Sequence, residues 1–186
     1  MGEPQPFRPT KDQLEAAHGK KVPDVIAPGL AVLFCGINPG LYSGATGHHF
    51  ARPGNRFWPA LQRSGFTPRQ LQPAEQVLLP ALGLGITNVA DRPTARADQL
   101  DAAELVAGGT RLRDLVGRLR PAWLAVVGVT AYRVAFADPA ATVGRQLATV
   151  GDTRIWVLPN PSGLNAHWPL PAMADEFARL RAAADA

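Results

Sequence analysis

Residues 30–36 read LAVLFCG, a continuous apolar run that ends at a glycine. A run of this kind is typical of a strand buried on both faces of a sheet. Similar runs occur at 123–128 (WLAVVG) and 153–158 (TRIWVL), and a shorter strand is predicted over 85–90 (GITNVA). We therefore predict four core strands, the first of them being the run at 30–36.

Segments with helical character alternate with these strands. The clearest helical stripe is formed by Leu112, Leu115, Val116 and Leu119. Further helices are predicted over 55–64, 73–82, 130–137 and 170–180, whereas the glycine-containing stretch 37–53 has no periodicity and is expected to be a long functional loop. The alternation predicts the α/β class: a three-layer α/β/α sandwich with a central, mostly parallel sheet.

Length and composition indicate one compact domain. The chain has 186 residues, of which 46% are hydrophobic and 18% charged, and this balance excludes a disordered chain. Residues 1–28 are rich in proline and are interpreted as a lead-in, with a helix-capping pattern at 10–13, while 29–186 form the single domain. The longest apolar stretch is far shorter than a bilayer span, so no membrane association is expected.

Charge and cysteine content indicate the compartment of the protein and the kind of partner it binds. Residues 1–10 contain no apolar run that could direct secretion, and Cys35 is the single cysteine, so a cytoplasmic protein without disulfides or Cys-rich metal sites is expected. The net charge is +4, and every cation from Pro23 onward is an arginine. Arginine suits bidentate phosphate contacts, and the basic excess favours polyanionic partners.

A ligand site is expected where parallel strands end at their carboxyl edge. The segments that follow the predicted strands are 36–40, 91–93, 128–130 and 160–165. Two of them contain an Asn-Pro pair, Asn38-Pro39 and Asn160-Pro161. A carboxamide both donates and accepts hydrogen bonds, which suits a neutral planar amide ligand, although such pairs also simply end strands.

Four blocks in order carry a family resemblance: 36–41 (GINPGL), 50–58 (FARPGNRFW), 91–94 (DRPT) and 160–164 (NPSGL). Over about residues 31–180 the chain resembles the mismatch-specific uracil-DNA glycosylase family, which is related to thymine-DNA glycosylase. The resemblance implies a monofunctional enzyme that flips uracil and related damaged pyrimidines out of duplex DNA. It would prefer G:U mispairs and hydrolyse the N-glycosidic bond, leaving an abasic site for base excision repair. No metal or cofactor is implied, and we expect a monomer.

The resemblance also assigns residues to the base and the water. Asn38 matches the asparagine that orients the attacking water; a carboxamide cannot take a proton, so slow catalysis is expected. Phe50 matches the aromatic ring that stacks on the flipped base. Backbone amides near Ile37, Gly40 and Phe50, the Ser43 hydroxyl and the Asn160 side chain would bind the base. The alternatives are a turn-capping role for Asn38 and Asn160, a core role for Phe50 and a solvated Ser43.

The segment Gly163-Leu164-Asn165 matches the family's wedge. Leu164 would fill the hole that a flipped base leaves, and Asn165 would face the orphaned guanine. Here the chain departs from relatives that carry a small hydroxyl residue followed by arginine, because Ala166 and His167 come next. The opposite-base preference therefore stays open, and the alternative for Leu164 is inward packing.

Other polar residues flank these blocks. Asp91 could supply a catalytic carboxylate, or it could form an ion pair with Arg92 or cap its own turn. The arginines expected to contact phosphates, with Arg52 foremost, are Arg52, Arg56, Arg92 and Arg96. His48 and His49 point apart and lack a nearby carboxylate or thiol at ligand spacing, so they are interpreted as loop histidines that touch DNA rather than metal.

Two other function classes share some of these features. A catalytically silent or very slow module of the same fold that binds damaged or abasic DNA would fit the same motifs. An unrelated nucleotide-binding α/β enzyme is disfavoured, because no Gly-x-x-x-x-Gly-Lys loop and no dinucleotide fingerprint follows the first strand.

Overall fold

A five-stranded sheet forms the centre of the computed structural model, which describes residues 7–186. The strands are β1 (Val32–Gly36), β2 (Leu84–Asn88), β3 (Trp123–Val127), β4 (Gly144–Val150) and β5 (Thr153–Leu158), in the spatial order β2-β1-β3-β5-β4. All neighbouring pairs are parallel except β4 with β5. The predicted mostly parallel α/β sheet is confirmed, and the carboxyl ends of four strands meet at one edge.

Helices cover both faces of the sheet. They are α1 (Lys11–Glu15), α2 (Leu41–Thr46), α3 (Phe57–Arg63), α4 (Ala102–Leu119), α5 (Val129–Ala135) and α6 (Leu170–Asp185). Alternate β1 side chains divide between two cores: Phe34 packs with α3 and α6, and Leu33 with α4 and α5. This arrangement confirms the three layers. No helix in the described part of the chain is long and apolar enough to cross a membrane.

Three elements differ from the sequence prediction. The helix predicted over 73–82 is instead two 3-10 helices, Pro73–Leu78 and Pro80–Leu82, because Pro80 has no N–H to continue a helical ladder. The loop predicted over 37–53 contains α2. Strand β4 is not predicted from the sequence, because it is an edge strand with mostly exposed side chains and no apolar pattern.

The N-terminal lead-in packs onto the domain. Residues 1–6 lie outside the described residues, and α1 begins at the predicted capping box, where the Thr10 and Gln13 side chains accept each other's backbone N–H. Val25 forms an antiparallel bridge with Ile86 of β2, and Ala17 is fully buried. This segment therefore covers the β2 side of the sheet.

Candidate active site

A cavity of about 380 Å³ opens at the carboxyl edge of the sheet. Among the residues that line it are the predicted Ile37, Asn38, Gly40, Ser43, Phe50, Arg52, Asn160 and Leu164. They come from the segments that follow β1 and β5 and from the loop between α2 and α3. The structure thus brings two distant Asn-Pro turns and the loop of Phe50 to one place, as expected for a parallel sheet.

The Asn38 carboxamide has a defined orientation. Its Nδ2 donates to the Arg92 carbonyl and to Thr94 Oγ1, each at 2.8 Å. Thr94 has one hydroxyl proton, which it donates to the Arg96 carbonyl at 2.7 Å, so it can only accept from Asn38. Both partners thus require the NH₂ group, and Asn38 Oδ1 is left as the hydrogen-bond acceptor of a cavity-lining side chain.

Asn160 is oriented by its own turn. Its Oδ1 accepts the Ser162 backbone N–H at 3.0 Å, and its backbone carbonyl accepts Asn165 Nδ2 at 2.9 Å. With the oxygen engaged, the group that Asn160 can offer to a ligand in the cavity is its Nδ2 donor.

Phe50 forms an aromatic wall of the cavity. Its ring stacks on Phe57 with centroids 4.1 Å apart and an interplanar angle of 23°. Its φ of 51° lies in the left-handed region, which costs free energy for a bulky residue and persists only where the surroundings require it. The nearby Ser43 Oγ accepts the Ala51 N–H at 3.3 Å, so its own proton remains available for a ligand.

His49 and Asn88 form a second oriented pair. His49 Nε2 lies 2.8 Å from the Pro23 carbonyl, which can only accept, so the ring carries its proton on Nε2. His49 Nδ1 then accepts from Asn88 Nδ2 at 3.3 Å. Burial lowers the pKa of His49, which favours this neutral ring.

The orientation of Asn88 places another acceptor at the cavity. Asn88 Oδ1 lies against Gly36, where an added Cβ would be 2.5 Å from this oxygen and 3.2 Å from the Phe50 ring. Glycine at position 36 therefore permits the amide oxygen and the aromatic wall to stand side by side. Asn88 and His49 both line the cavity.

The sequence alone does not single out His49 and Asn88 as residues of the site. His49 is not an exposed loop histidine: it is 2% exposed, and its two ring nitrogens are engaged by Pro23 and Asn88. Asn88 lay inside the strand predicted over 85–90, whereas β2 ends at Asn88 and places it at the carboxyl edge. The useful signal is a carboxamide in a strand that is buried along its whole length, because such a group needs a polar partner.

Asp91 does not line the cavity. Its carboxylate lies 3.3 Å from Lys21 Nζ and 3.6 Å from Arg111 Nη2. The alternative of an ion pair between Asp91 and Arg92 is wrong, because Arg92 binds the Glu104 carboxylate at 2.7 Å and lowers the pKa of Glu104 to about 2. The structure therefore does not bring the Asp91 carboxylate together with Asn38.

Leu164 projects from the turn that follows β5. It is 79% exposed beside the cavity, so the alternative of inward packing is wrong. The neighbouring Gly163 approaches the Gly54 carbonyl so closely that a Cβ would lie 2.6 Å from the oxygen. The Asn165 amide is used within the loop, donating to Asn160 and accepting the His167 N–H at 3.1 Å.

The four arginines near the site differ in their partners. Arg92 binds Glu104, Arg96 lies 3.0 Å from Asp98, and Arg56 donates to backbone carbonyls. Arg52 is exposed at the cavity and has no ion-pair partner among residues 7–186. It is therefore the arginine best placed to contact a phosphate.

The cavity combines complementary neutral groups. Asn38 and Asn88 offer oxygen acceptors, Asn160 offers a donor, and Phe50 offers a stacking face. Among residues 7–186, no group of three or more His, Cys, Asp or Glu side chains is arranged to hold a metal ion. The arrangement can bind a neutral planar heterocycle and hold a water molecule beside it.

The comparison with protein families agrees with this geometry. Residues 23–183 match the model of the Uracil DNA glycosylase superfamily. The match includes every cavity-lining segment as well as Pro23, the partner of His49. The chain therefore belongs to the uracil DNA glycosylase superfamily, and this membership supports a DNA glycosylase, a hydrolase that acts on DNA.

Proposed function

We propose that this protein is a monofunctional, mismatch-specific uracil-DNA glycosylase that flips uracil out of duplex DNA and hydrolyses its N-glycosidic bond. The single observation that carries the proposal is the orientation of Asn38, whose NH₂ group is engaged by Arg92 and Thr94. An amide oxygen that accepts from a water can aim that water at an anomeric carbon. The preference for uracil opposite guanine rests on the family resemblance.

Base recognition follows from the other two amides. A uracil stacked on Phe50 would donate its N3–H to Asn88 Oδ1, and one of its carbonyl oxygens would accept from Asn160 Nδ2. Cytosine has a lone pair at N3, which would face the Asn88 oxygen without a proton between them, and an unpaired buried acceptor is costly. His49 supports this discrimination because it binds the Asn88 NH₂ group and leaves Oδ1, which lies against Gly36 next to the Phe50 ring, as the free acceptor.

Bond cleavage then needs no covalent intermediate. The C1′–N1 bond breaks, its electron pair leaves with the base, and the water oxygen forms the new bond to C1′. N–H donors around the base stabilise the departing anion. Because Asn38 cannot accept the water's proton, the proton leaves to solvent or to the departing base, and the reaction is expected to be slow.

One observation favours the second candidate, a very slow or silent module that binds abasic DNA. The Asp91 carboxylate, the sequence candidate for a general base, is paired with Lys21 and Arg111 instead of facing Asn38. Under the first candidate, the glycosylase in which Asn38 alone positions the water, replacement of Asp91 by Asn should therefore leave excision unchanged.

The test is single-turnover cleavage of labelled duplexes that carry one uracil opposite guanine or adenine, followed by alkali. Strand breaks that appear faster opposite guanine and disappear in Asn38→Ala would support the proposal. Equal rates opposite both bases would remove the mismatch preference. Absence of cleavage at enzyme excess, with abasic duplex still bound, would replace the glycosylase by the silent module.

A further inference from the structure

Arg56 lies beneath the exposed loop that carries Leu164, here called the wedge loop (residues 161–168). Its Nη1 donates to the carbonyls of Asn165 at 2.6 Å and Trp168 at 3.0 Å, and its Nη2 donates to the Gly163 carbonyl at 3.2 Å. Its backbone N–H donates to the Pro161 carbonyl at 2.8 Å. One residue thus holds the loop at four points.

These bonds fix the backbone on both sides of Leu164. Gly163 and Asn165 are its immediate neighbours, and the Arg56 guanidinium binds the carbonyls of both. The loop has little apolar attachment of its own at this point, because residues 163, 164, 166 and 167 are exposed. The position of the Leu164 side chain therefore depends on polar bonds. Those of Arg56 join the loop to the segment farthest from it in the sequence.

The guanidinium has no acidic partner that would explain its position. Within residues 7–186, Arg56 forms no ion pair, and the side chain is half-buried with its donors on carbonyls. Arginine provides a planar set of donors that can bind several carbonyls at once. The phosphate contact expected from the sequence does not fit this geometry, because the fork points into the protein's own loop.

We propose that Arg56 is a positioning residue that holds Leu164 ready to enter the duplex when the base leaves. This inference rests on the proposed function and specifies how its flipping step is prepared. A loop already in its bound conformation loses less entropy on binding, so the extruded state is favoured. Arg56 acts through Leu164 and not on the glycosidic bond.

A double-mutant cycle tests this dependence. Arg56→Gln, Leu164→Ala and the double variant are compared by the fluorescence of 2-aminopurine placed beside an uncleavable 2′-fluoro-deoxyuridine, and by single-turnover excision from duplex DNA. We expect Arg56→Gln to lower flipping and excision roughly tenfold, since about 1.4 kcal/mol of hydrogen bonding corresponds to that factor. In the Leu164→Ala background the same change should cost less than about twofold.

Arg63→Gln is the matched control, because it removes an equal charge from an exposed position on α3. It should leave both readouts unchanged. If circular dichroism shows that Arg56→Gln does not fold, Arg56→Lys is used in its place, because it keeps the charge and part of the hydrogen bonding. Losses that simply add in the double variant, or a lower salt dependence of DNA binding in Arg56→Gln, would overturn the inference.

The fluorescence arm separates the two proposals. A wild-type protein that flips the fluorinated nucleotide but never cleaves uracil would refute the glycosylase. The double-mutant cycle, read by fluorescence, would still test the role of Arg56. Full cleavage with additive losses would refute the role of Arg56 alone. A wild-type protein that neither flips nor cleaves would refute both.

Discussion

The two Asn-Pro turns of the cavity use the same dipeptide in opposite ways. Asn38 follows β1 and gives its NH₂ group to Arg92 and Thr94, so its oxygen remains for a ligand. Asn160 follows β5 and gives its oxygen to the Ser162 N–H, so its NH₂ group remains. Identical side chains thus become an acceptor and a donor at one cavity.

The difference lies in the distance of the partners along the chain. Asn160 is held by a residue two positions away, which is the usual bond of an asparagine in a turn. The partners of Asn38 are 54 and 56 positions away and come to it only because β1 and β2 are adjacent and parallel. The same turn chemistry therefore gives opposite polarity once long-range contacts are present.

Removal of the acceptor should have the largest effect. Asn38→Ala is expected to lower single-turnover excision of uracil by about 10²-fold or more, because the water loses its oriented partner. Asn160→Ala, the matched change at the other turn, should cost roughly tenfold, the value of a lost hydrogen bond. Rapid-quench measurement on one duplex ranks the two, and equal losses would contradict the division between water holder and base holder.

Reversal of the donor tests the second turn. Asn160→Asp keeps an oxygen for the Ser162 N–H but presents a charged oxygen where Nδ2 stood. We expect uracil excision and duplex affinity both to fall, by roughly tenfold or more, since an acceptor and a negative charge would face the base carbonyl and the phosphates. Gel-shift titration at two salt concentrations would separate the two causes; unchanged affinity and rate would show that Nδ2 is not used.

Thr94 helps to orient Asn38, so a change at Thr94 tests whether that orientation matters for excision. Thr94→Val removes the hydroxyl at nearly constant volume and leaves Asn38 Nδ2 with the Arg92 carbonyl alone. The excision rate should fall several-fold, about 1 kcal/mol being the usual value of one such bond, with little change in DNA affinity. Thr94→Ser restores the hydroxyl and should recover the rate. A loss shared by the serine variant would indicate that the methyl group matters instead.

A smaller effect is expected at His49, the residue that orients the third amide, Asn88. Protonation of His49 should make the stability of the fold depend on pH. Burial lowers the pKa of His49 in the folded protein below its ordinary 6.5, so the unfolded chain takes up a proton that the folded chain does not. Stability is therefore complete above about pH 6.5 and decreases as the pH falls from there toward the folded pKa.

Thermal unfolding between pH 8 and pH 5 checks this effect. The wild-type Tm should decrease toward the acid side more steeply than that of His49→Gln, which has no ring to protonate. His167→Gln, a change at an exposed histidine, should behave like the wild type. Parallel curves for the wild type and His49→Gln would show that the buried ring does not carry the pH dependence.

The candidate site was predictable in so far as its residues follow strands or lie in recognisable turns. Asn38, Phe50, Asn160 and Leu164 belong to blocks that resemble a known family, and all of them line the cavity. The sequence does not identify Asn88 and His49 as site residues, because its pattern predicts the interior of a strand for Asn88 and a loop position for His49. Their pairing depends on Pro23, which the proline-rich lead-in supplies.

The sequence by itself determined the α/β class, the four parallel strands and the turns at their carboxyl ends, because apolar runs, glycines and prolines act through local geometry and burial. Only the tertiary structure decided which end of each amide faces the cavity, which arginines are occupied and where Asp91 finds its partners. Hydrogen-bond polarity depends on the group across the contact, and in a parallel sheet that group comes from a distant segment of the chain.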